Sequence, residues 1–315
     1  MALPSPAALA HAPLLVPPGT GASLVRALEE TASRPAREAS ATAPDEPFLY
    51  VGATLPASLR SGRLLWFHSV NAGTDALLAG GSWPEPALLT RTVGRMGERI
   101  AQYVLAWMLA ECQRVPEHTA QHARAEWRRL PSGLVAGSTV VVHGTGRIGR
   151  AVAALLRACS LRTVGVGRTP REGVPGFDRV VTAGGAGELE ELAAARWVVC
   201  TLPLTGATEG FYGAGRFAAM RGACFLNVGR GGCVDMDALE AALRGGSVRR
   251  AVLDVLPEEP PGPHDRVWRL PGTVVTSHSA GVTEEEDVAT DFAACWAALA
   301  EGRRPALAVD TGRGY

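Results

Sequence analysis

The segment VVVHGTGRIGR, residues 140–150, constrains the fold of this chain more than any other. A run of β-branched residues leads directly into a G-x-G-x-x-G pattern, and an alanine- and leucine-rich helix pattern follows at once. A strand, a glycine turn and a helix in this order are typical of a dinucleotide-binding domain, in which the helix N-terminus faces the pyrophosphate. The residues predicted to hold the dinucleotide here are Gly144, Thr145, Gly146, Arg147, Ile148 and Gly149.

The next predicted strand ends in arginines rather than in an acid. Residues 162–166 form a strand pattern that continues into Gly167, Arg168, Thr169 and Arg171. A domain that prefers NAD usually places Asp or Glu at this point to bind the ribose 2′-hydroxyl, whereas arginine accommodates a 2′-phosphate. These four residues are therefore predicted to lie at the ribose, with NADP(H) as the preferred cofactor and NAD(H) as the alternative.

Composition excludes several function classes. The formal net charge of +0 at pH 7 gives no indication of a nucleic-acid partner or of an anionic membrane surface. The chain contains no lysine, which excludes a Schiff-base lysine, a P-loop lysine and the Tyr-x-x-x-Lys pair of short-chain dehydrogenases. Its six cysteines form no C-x-x-C pair and are expected to be reduced. Without an apolar run of bilayer length or a basic signal sequence, we expect a cytoplasmic protein.

Histidines offer little sign of a metal site. His118 and His122 have the i, i+4 spacing of a ligand pair, but no acidic residue or cysteine clusters beside them in a ligand pattern. We therefore predict an exposed helix face there and no metal.

Short apolar strands alternate with helical patterns, which is typical of an α/β fold with parallel sheets. Strands are predicted near Leu14–Val16, Phe48–Val51 and Leu64–Phe67, and residues 31–47 are expected to form a loop, with a polar helix within it as the alternative. The second half of the chain contains enough predicted strands to form a doubly wound sheet. They are Thr139–His143, Arg162–Val166, Asp178–Val181, Trp197–Thr201, Ala223–Val228, Ala251–Val255 and Thr273–Thr276.

Two long helix patterns indicate how the chain divides into domains. Glu98–Cys112 is apolar on two faces, as a connector between domains or a dimer interface would be. Glu284–Ala300 lies beyond the last strand and can return to the N-terminal domain. We predict a dinucleotide-binding domain at residues 101–285 and a discontinuous substrate-binding domain at residues 1–100 and 286–315.

Arg230, Glu259 and His278 follow the last three predicted strands. Ligands of open α/β sheets bind outside the carboxyl ends of the strands, so we expect these three side chains at one edge. An arginine binds a carboxylate through two parallel hydrogen bonds and polarises a neighbouring carbonyl. Histidine donates a proton near neutral pH, and a carboxylate on its second nitrogen orients the ring. The set suits the reduction of a 2-keto acid.

The segments HGTGRIG, CTLPLTGATEGF, FLNVGRGGCVD, AVLDVLPEEP and TVVTSHSAG, in this order, resemble the D-2-hydroxyacid dehydrogenase family. LLWFHSVNAGTD and ERIAQYVLAWMLA are similar to its N-terminal domain and connector helix, so the resemblance covers nearly the whole chain. It implies a doubly wound Rossmann domain with a second, smaller, flavodoxin-like α/β domain. It also implies a homodimer whose partner is a small 2-keto or 2-hydroxy acid.

The resemblance implies a role for individual residues. Arg230 would bind substrate, His278 would be the acid/base with Glu259 as its partner, and Asp254 would contact the nicotinamide amide. The backbone N–H groups that would hold the substrate carboxylate are those of Val70, Asn71, Ala72 and Gly73. Further cofactor contacts are assigned to Leu202, Pro203, Val228 and Gly281.

Within the family, Gly167–Arg171 and Arg95–Glu98 resemble a glyoxylate/hydroxypyruvate reductase branch that uses NADPH. Glu259 stands where formate dehydrogenases have glutamine, Ala72 where phosphite dehydrogenases have lysine, and Ser277 where the family usually has proline. The leading prediction is an NADPH-dependent reductase that forms a D-2-hydroxy acid. The alternatives are an NAD-dependent dehydrogenase of another D-2-hydroxy acid, such as a phosphoglycerate-like one, and a nucleotide-sensing, corepressor-like binding protein.

Overall fold

A computed structural model describes residues 3–40, 42–60, 63–169 and 171–312. The chain divides into two compact units. We call residues 1–96 with 283–315 the smaller unit, and residues 97–282 the larger unit.

Strands and helices alternate along much of the described chain. The strands are β1 (Leu14–Val16), β2 (Ala36–Glu38), β3 (Phe48–Gly52), β4 (Leu64–Ser69), β5 (Leu88–Arg91), β6 (Thr139–His143), β7 (Arg162–Gly167), β8 (Arg179–Thr182), β9 (Trp197–Cys200), β10 (Ala223–Asn227), β11 (Val248–Leu253) and β12 (Thr273–Val275). The helices are α1 (Pro6–His11), α2 (Ala22–Ala32), α3 (Asp75–Ala79), α4 (Met96–Cys112), α5 (Val115–Ala123), α6 (Arg147–Ala158), α7 (Ala186–Ala194), α8 (Ala214–Ala219), α9 (Met236–Gly245) and α10 (Glu285–Ala300).

The smaller unit is built on a parallel sheet with the strand order β2-β1-β3-β4-β5, the flavodoxin-like order. Every residue of β3 is buried, as expected for a parallel strand covered on both faces. The expectation of a loop over residues 31–47 missed β2, and β5 and α1 were also not foreseen. The exposure of β2 explains the first omission, because its Ala-Arg-Glu sequence lies at the sheet edge and carries no apolar run.

Helix α10 completes the smaller unit from the far end of the sequence. Its apolar residues Val288, Phe292 and Leu299 share a core with residues of α2 and the sheet, and Phe292 stacks on Trp66 with ring centroids 5.0 Å apart. The Asp291 carboxylate accepts hydrogen bonds from backbone N–H groups of the segment that precedes α4. Packing and hydrogen bonds together therefore fix this C-terminal helix to the N-terminal sheet.

The larger unit contains a parallel sheet with the strand order β12-β11-β10-β9-β6-β7-β8. This is a doubly wound sheet whose order reverses between β6 and β9. Its core consists mainly of Val, Leu and Ala side chains from the strands and from α7, α8 and α9. Ligands bind such sheets at the carboxyl ends of the strands near the reversal, so we expect the functional site there.

None of the helices in the part of the chain that the structure describes is long and apolar enough to cross a bilayer. Within the same residues, no three His, Cys, Asp or Glu side chains are grouped as ligands of a metal ion. His118 and His122 lie exposed on α5.

Candidate active site

The glycine turn lies between β6 and α6, at the point where the strand order reverses. Gly144 has φ +104°, which favours glycine, and a Cβ on Gly149 would lie 1.9 Å from the carbonyl oxygen of Gly144. A Cβ on Gly146 would meet nothing within 4 Å, and no side chain caps the first turn of α6. The turn therefore leaves open space in front of free helix N–H groups, which fits a pyrophosphate.

The loops after β9 and β10 lie against each other beside this turn. Thr201 Oγ1 donates to the His143 carbonyl oxygen at 2.9 Å, which ties the end of β9 to the end of β6. A Cβ on Gly229 would lie 2.6 Å from the Leu202 carbonyl oxygen. The structure thus brings together Leu202 and the Val228–Gly229 step, while Pro203 is exposed one residue further on.

The predicted ribose-binding residues follow β7, the strand next to β6. Gly167 ends the strand, and Arg168, Thr169 and Arg171 are all exposed. Arg171 and Thr145 line one cavity of about 590 Å³ beside the glycine turn, whereas Arg168 and Thr169 are not among its lining residues. Of these three exposed residues, Arg171 is the one that lines this cavity.

The acid/base pair lies at the carboxyl ends of β11 and β12. His278 Nδ1 is 2.8 Å from Glu259 Oε2, and Glu259 Oε1 accepts a hydrogen bond from the Leu256 N–H at 2.8 Å. Among the described residues, His278 Nε2 has no hydrogen-bond partner, and the side chain is 50% exposed. The carboxylate thus orients the ring through one nitrogen and leaves the other available for a proton transfer.

Asp254 holds the segment that carries His278. It is buried, and its carboxylate accepts hydrogen bonds from Thr276 Oγ1 at 2.6 Å, Ser279 N–H at 2.9 Å and Ala280 N–H at 3.0 Å. His278 adopts a left-handed φ of +52° and donates its N–H to the Asp254 carbonyl oxygen at 2.8 Å. This support of the histidine was not foreseen from the sequence, because it depends on contacts between two strand ends.

Arg230 follows β10, and its loop is anchored by the buried Asn227. The Asn227 amide donates to the Arg230 carbonyl oxygen at 3.1 Å and accepts from the Gly229 N–H at 3.1 Å. A Cβ on Gly231 would lie 1.9 Å from the carbonyl carbon of Leu256. The arginine loop therefore lies against the loop that carries Glu259, at neighbouring strand ends.

The residues predicted to hold the substrate carboxylate follow β4 in the smaller unit. The N–H groups of Val70 and Asn71 already bond within the unit, to the Gly52 carbonyl oxygen at 3.1 Å and to Ser69 Oγ at 3.2 Å. Those of Ala72 and Gly73 have no hydrogen bond to any described residue. The structure thus leaves two of the four predicted donors available to a ligand.

A buried network of hydrogen bonds surrounds His143, the last residue of β6, directly before the glycine turn. His143 Nε2 is 2.9 Å from Glu188 Oε1 and its Nδ1 is 2.7 Å from the Tyr212 hydroxyl. Burial lowers the pKa of His143. Burial would raise the pKa of Glu188, but hydrogen bonds from His143, Arg216 and the Gly184 N–H outweigh it and lower that pKa to about 2. The Glu188 carboxylate therefore fixes the end of β6 through its contact with His143.

Comparison with known proteins finds sequence similarity along most of the chain. The family profile for the D-isomer specific 2-hydroxyacid dehydrogenase NAD binding domain matches residues 105–280. The chain is 56% identical over 276 residues to an uncharacterized protein of Streptomyces coelicolor, covering 87% of this chain and 98% of that protein. It is 30% identical over 264 residues to glyoxylate/hydroxypyruvate reductase A of Serratia proteamaculans, covering 81% of this chain and 82% of that enzyme.

A solved structure shows the same architecture with a cofactor bound. The NADPH-dependent glyoxylate/hydroxypyruvate reductase of Sinorhizobium meliloti, in complex with NADP and sulfate, superposes with a TM-score of 0.81 at 26% sequence identity. The match covers 96% of this chain and 100% of the other.

Proposed function

Because the chain belongs to the D-isomer specific 2-hydroxyacid dehydrogenases, which are NAD(P)-dependent enzymes, we propose that it uses NADPH to reduce a small 2-keto acid of the glyoxylate or hydroxypyruvate type. The product is the D-2-hydroxy acid. The observation that carries this proposal is the His278–Glu259 hydrogen bond, at the same sheet edge as an open glycine turn.

Arg230 holds the substrate in this scheme. Its guanidinium provides paired donors for the substrate carboxylate and attracts the negative charge that develops on the carbonyl oxygen. A 2-keto acid offers both acceptors on adjacent carbons, which is why this substrate class fits.

His278 supplies the proton. The bound dihydronicotinamide provides the hydride for the carbonyl carbon. His278 Nε2, the nitrogen not engaged by Glu259, donates a proton to the carbonyl oxygen, which completes the hydroxyl group. Glu259 stabilises the protonated imidazole and keeps its ring plane fixed through Nδ1. The exposed ring then recovers its proton from water.

NADPH is proposed as the reductant because arginines replace the usual acid after β7, and because the Sinorhizobium meliloti reductase is described as NADPH-dependent. The smaller unit is proposed as the substrate-binding domain and the larger unit as the dinucleotide-binding domain.

The test is the rate of NADPH consumption with glyoxylate, hydroxypyruvate, pyruvate and bulkier 2-keto acids, each repeated with NADH. We expect the highest kcat/KM with NADPH and one of the first two acids. A clear NADH preference would overturn the cofactor assignment and favour an NAD-dependent dehydrogenase. Absence of turnover with every acid, despite nucleotide binding, would favour the corepressor-like function.

We also propose that the enzyme works in the cytoplasm as a homodimer. Leu109, Trp127 and Leu134 of the larger unit are large apolar side chains exposed in the single chain, and an interface formed by α4 and the segment after it would cover them. Sedimentation equilibrium should give twice the mass of 32.9 kDa. A monomer at micromolar concentration would contradict this part of the proposal.

A further inference from the structure

The cavity beside the glycine turn is bounded by two parts of the larger unit. One wall is the turn with the first residues of α6, and the other is the segment that follows β7. The cavity holds about 590 Å³ and is lined by Thr145, Gly146, Arg150, Arg171, Glu172, Gly173, Val174 and Pro175. It therefore joins the predicted pyrophosphate site to a side chain, Arg150, that the sequence patterns did not single out.

The two walls are in direct contact below the cavity. A Cβ on Gly176 would lie 2.7 Å from the carbonyl oxygen of Arg150 and 3.0 Å from the N–H nitrogen of Ala154. The segment after β7 thus lies against the backbone of α6. This contact holds Arg150 and Arg171 on facing walls of one cavity.

The charges of this cavity are not balanced by ion pairs. The side chains of Arg150 and Arg171 form no hydrogen bond or ion pair with any described residue. Arg157, two turns further along α6, instead pairs with Asp178 at 3.1 Å, and Arg162 pairs with Glu191 at 2.6 Å. The side chains of Arg150 and Arg171 are thus unpaired among the described residues, whereas those of Arg157 and Arg162 are paired.

Glu172 is the one carboxylate among the lining residues. It reduces the positive potential but does not pair with either arginine. Two guanidinium groups beside helix N–H groups favour a ligand with two negative charges, and a phosphate monoester matches the paired donors of arginine.

We propose that Arg150, together with Arg171, binds the 2′-phosphate of NADPH. Cofactor selection then depends on the residue that follows the last glycine of the turn, and not only on the arginines after β7. This inference rests on the proposed function, because it takes a dinucleotide in the glycine turn as given.

The test compares two probes that differ only in the 2′-phosphate: adenosine 2′,5′-bisphosphate and adenosine 5′-monophosphate. Calorimetry measures both dissociation constants for the full-length wild type and for Arg150→Ala. We expect Arg150→Ala to weaken bisphosphate binding about 10- to 100-fold, the range for a hydrogen bond to a charged group, and to change monophosphate binding less than about twofold. In steady-state kinetics, we expect Arg150→Ala to raise the KM for NADPH and to leave kcat and the KM for NADH unchanged.

Arg157→Ala is the matched control. It removes the same charge from the same helix, but Arg157 pairs with Asp178 and does not line the cavity. It should leave the ratio of the two dissociation constants unchanged. Glu172→Gln gives a second, independent readout with the opposite sign, since loss of the carboxylate should tighten bisphosphate binding.

The outcomes separate this inference from the proposed function. If Arg150→Ala keeps the preference for the bisphosphate, the inference is wrong, and the NADPH preference stands. If the wild type itself shows no preference, both the inference and the NADPH assignment fall. If Arg150→Ala loses the preference but no 2-keto acid is reduced, the inference holds and the proposed substrate class falls.

Discussion

Mild acid should destabilise the smaller unit through one buried histidine, His68, at the end of β4. Its ring is 1% exposed, with Nδ1 2.7 Å from Thr90 Oγ1 and Nε2 3.1 Å from Thr92 Oγ1. Thr92 Oγ1 donates to the Ser69 carbonyl oxygen, so it can accept from an Nε2–H. Trp66 Nε1 donates to Thr90 Oγ1, whose own hydroxyl hydrogen then points to Nδ1. The network assigns the neutral Nε2–H tautomer.

The size of the effect follows from the pKa. Burial lowers the pKa of His68 from 6.5 to about 3. Between these values the unfolded chain binds a proton that the folded chain does not, so the contribution of His68 is fully present above pH 6.5 and is lost as the pH falls towards 3. At pH 5, about 1.5 units below the unfolded pKa, the loss is about 2 kcal/mol.

Amide hydrogen exchange of β4 and β5 measures this loss within the smaller unit. After correction for intrinsic rates, the opening free energy should fall between pH 7.5 and 5 by about 2 kcal/mol more in the wild type than in His68→Gln. His11→Gln, which changes an exposed histidine of the same unit, should keep the wild-type dependence. Equal pH dependence in the wild type and His68→Gln would refute the assignment of a buried, neutral His68.

Three substitutions in the larger unit test the proposed chemistry. His278→Ala should lower kcat about 10²- to 10⁴-fold, the usual range for a positioned acid, with NADPH binding by fluorescence unchanged. Glu259→Gln retains the shape but not the charge, so kcat should fall by less than in His278→Ala while KM changes little; an effect mainly on KM would contradict the role of Glu259. Arg230→Lys should lower kcat/KM about 10- to 100-fold, since lysine lacks the planar fork, and wild-type kcat/KM would exclude bidentate binding.

The doubly wound sheet could be predicted because its signals are local. Strands of the larger unit contain apolar runs, such as Val-Val-Val in β6 and Ala-Val-Leu in β11, and the proposed reacting residues come within a few positions of the strand ends. Edge elements have no such signal. β5 is four residues long, and β2 exposes two of its three side chains, so neither shows the periodicity that identifies a strand.

Hydrogen bonds within the site could not be predicted in the same way. The family resemblance indicated the β4 loop, but not that the Val70 and Asn71 N–H groups already bond to Gly52 and Ser69. Likewise, the unpaired state of Arg150 depends on which carboxylates the fold places near each arginine. Residue types indicate the chemistry, whereas the folded chain decides which groups remain available for it.

The position of His278 illustrates this division. A left-handed conformation costs a non-glycine residue about 1–2 kcal/mol, and the sequence Ser-His-Ser contains nothing that compensates locally. Asp254 compensates from the neighbouring strand end, because its carboxylate and carbonyl groups together accept hydrogen bonds from Thr276, His278, Ser279 and Ala280. The ring is then fixed a second time, by Glu259, whose other oxygen is held by the Leu256 N–H. Asp254 and Glu259 both follow β11 in the sequence. The larger unit therefore fixes the orientation of the proposed proton donor before any substrate binds.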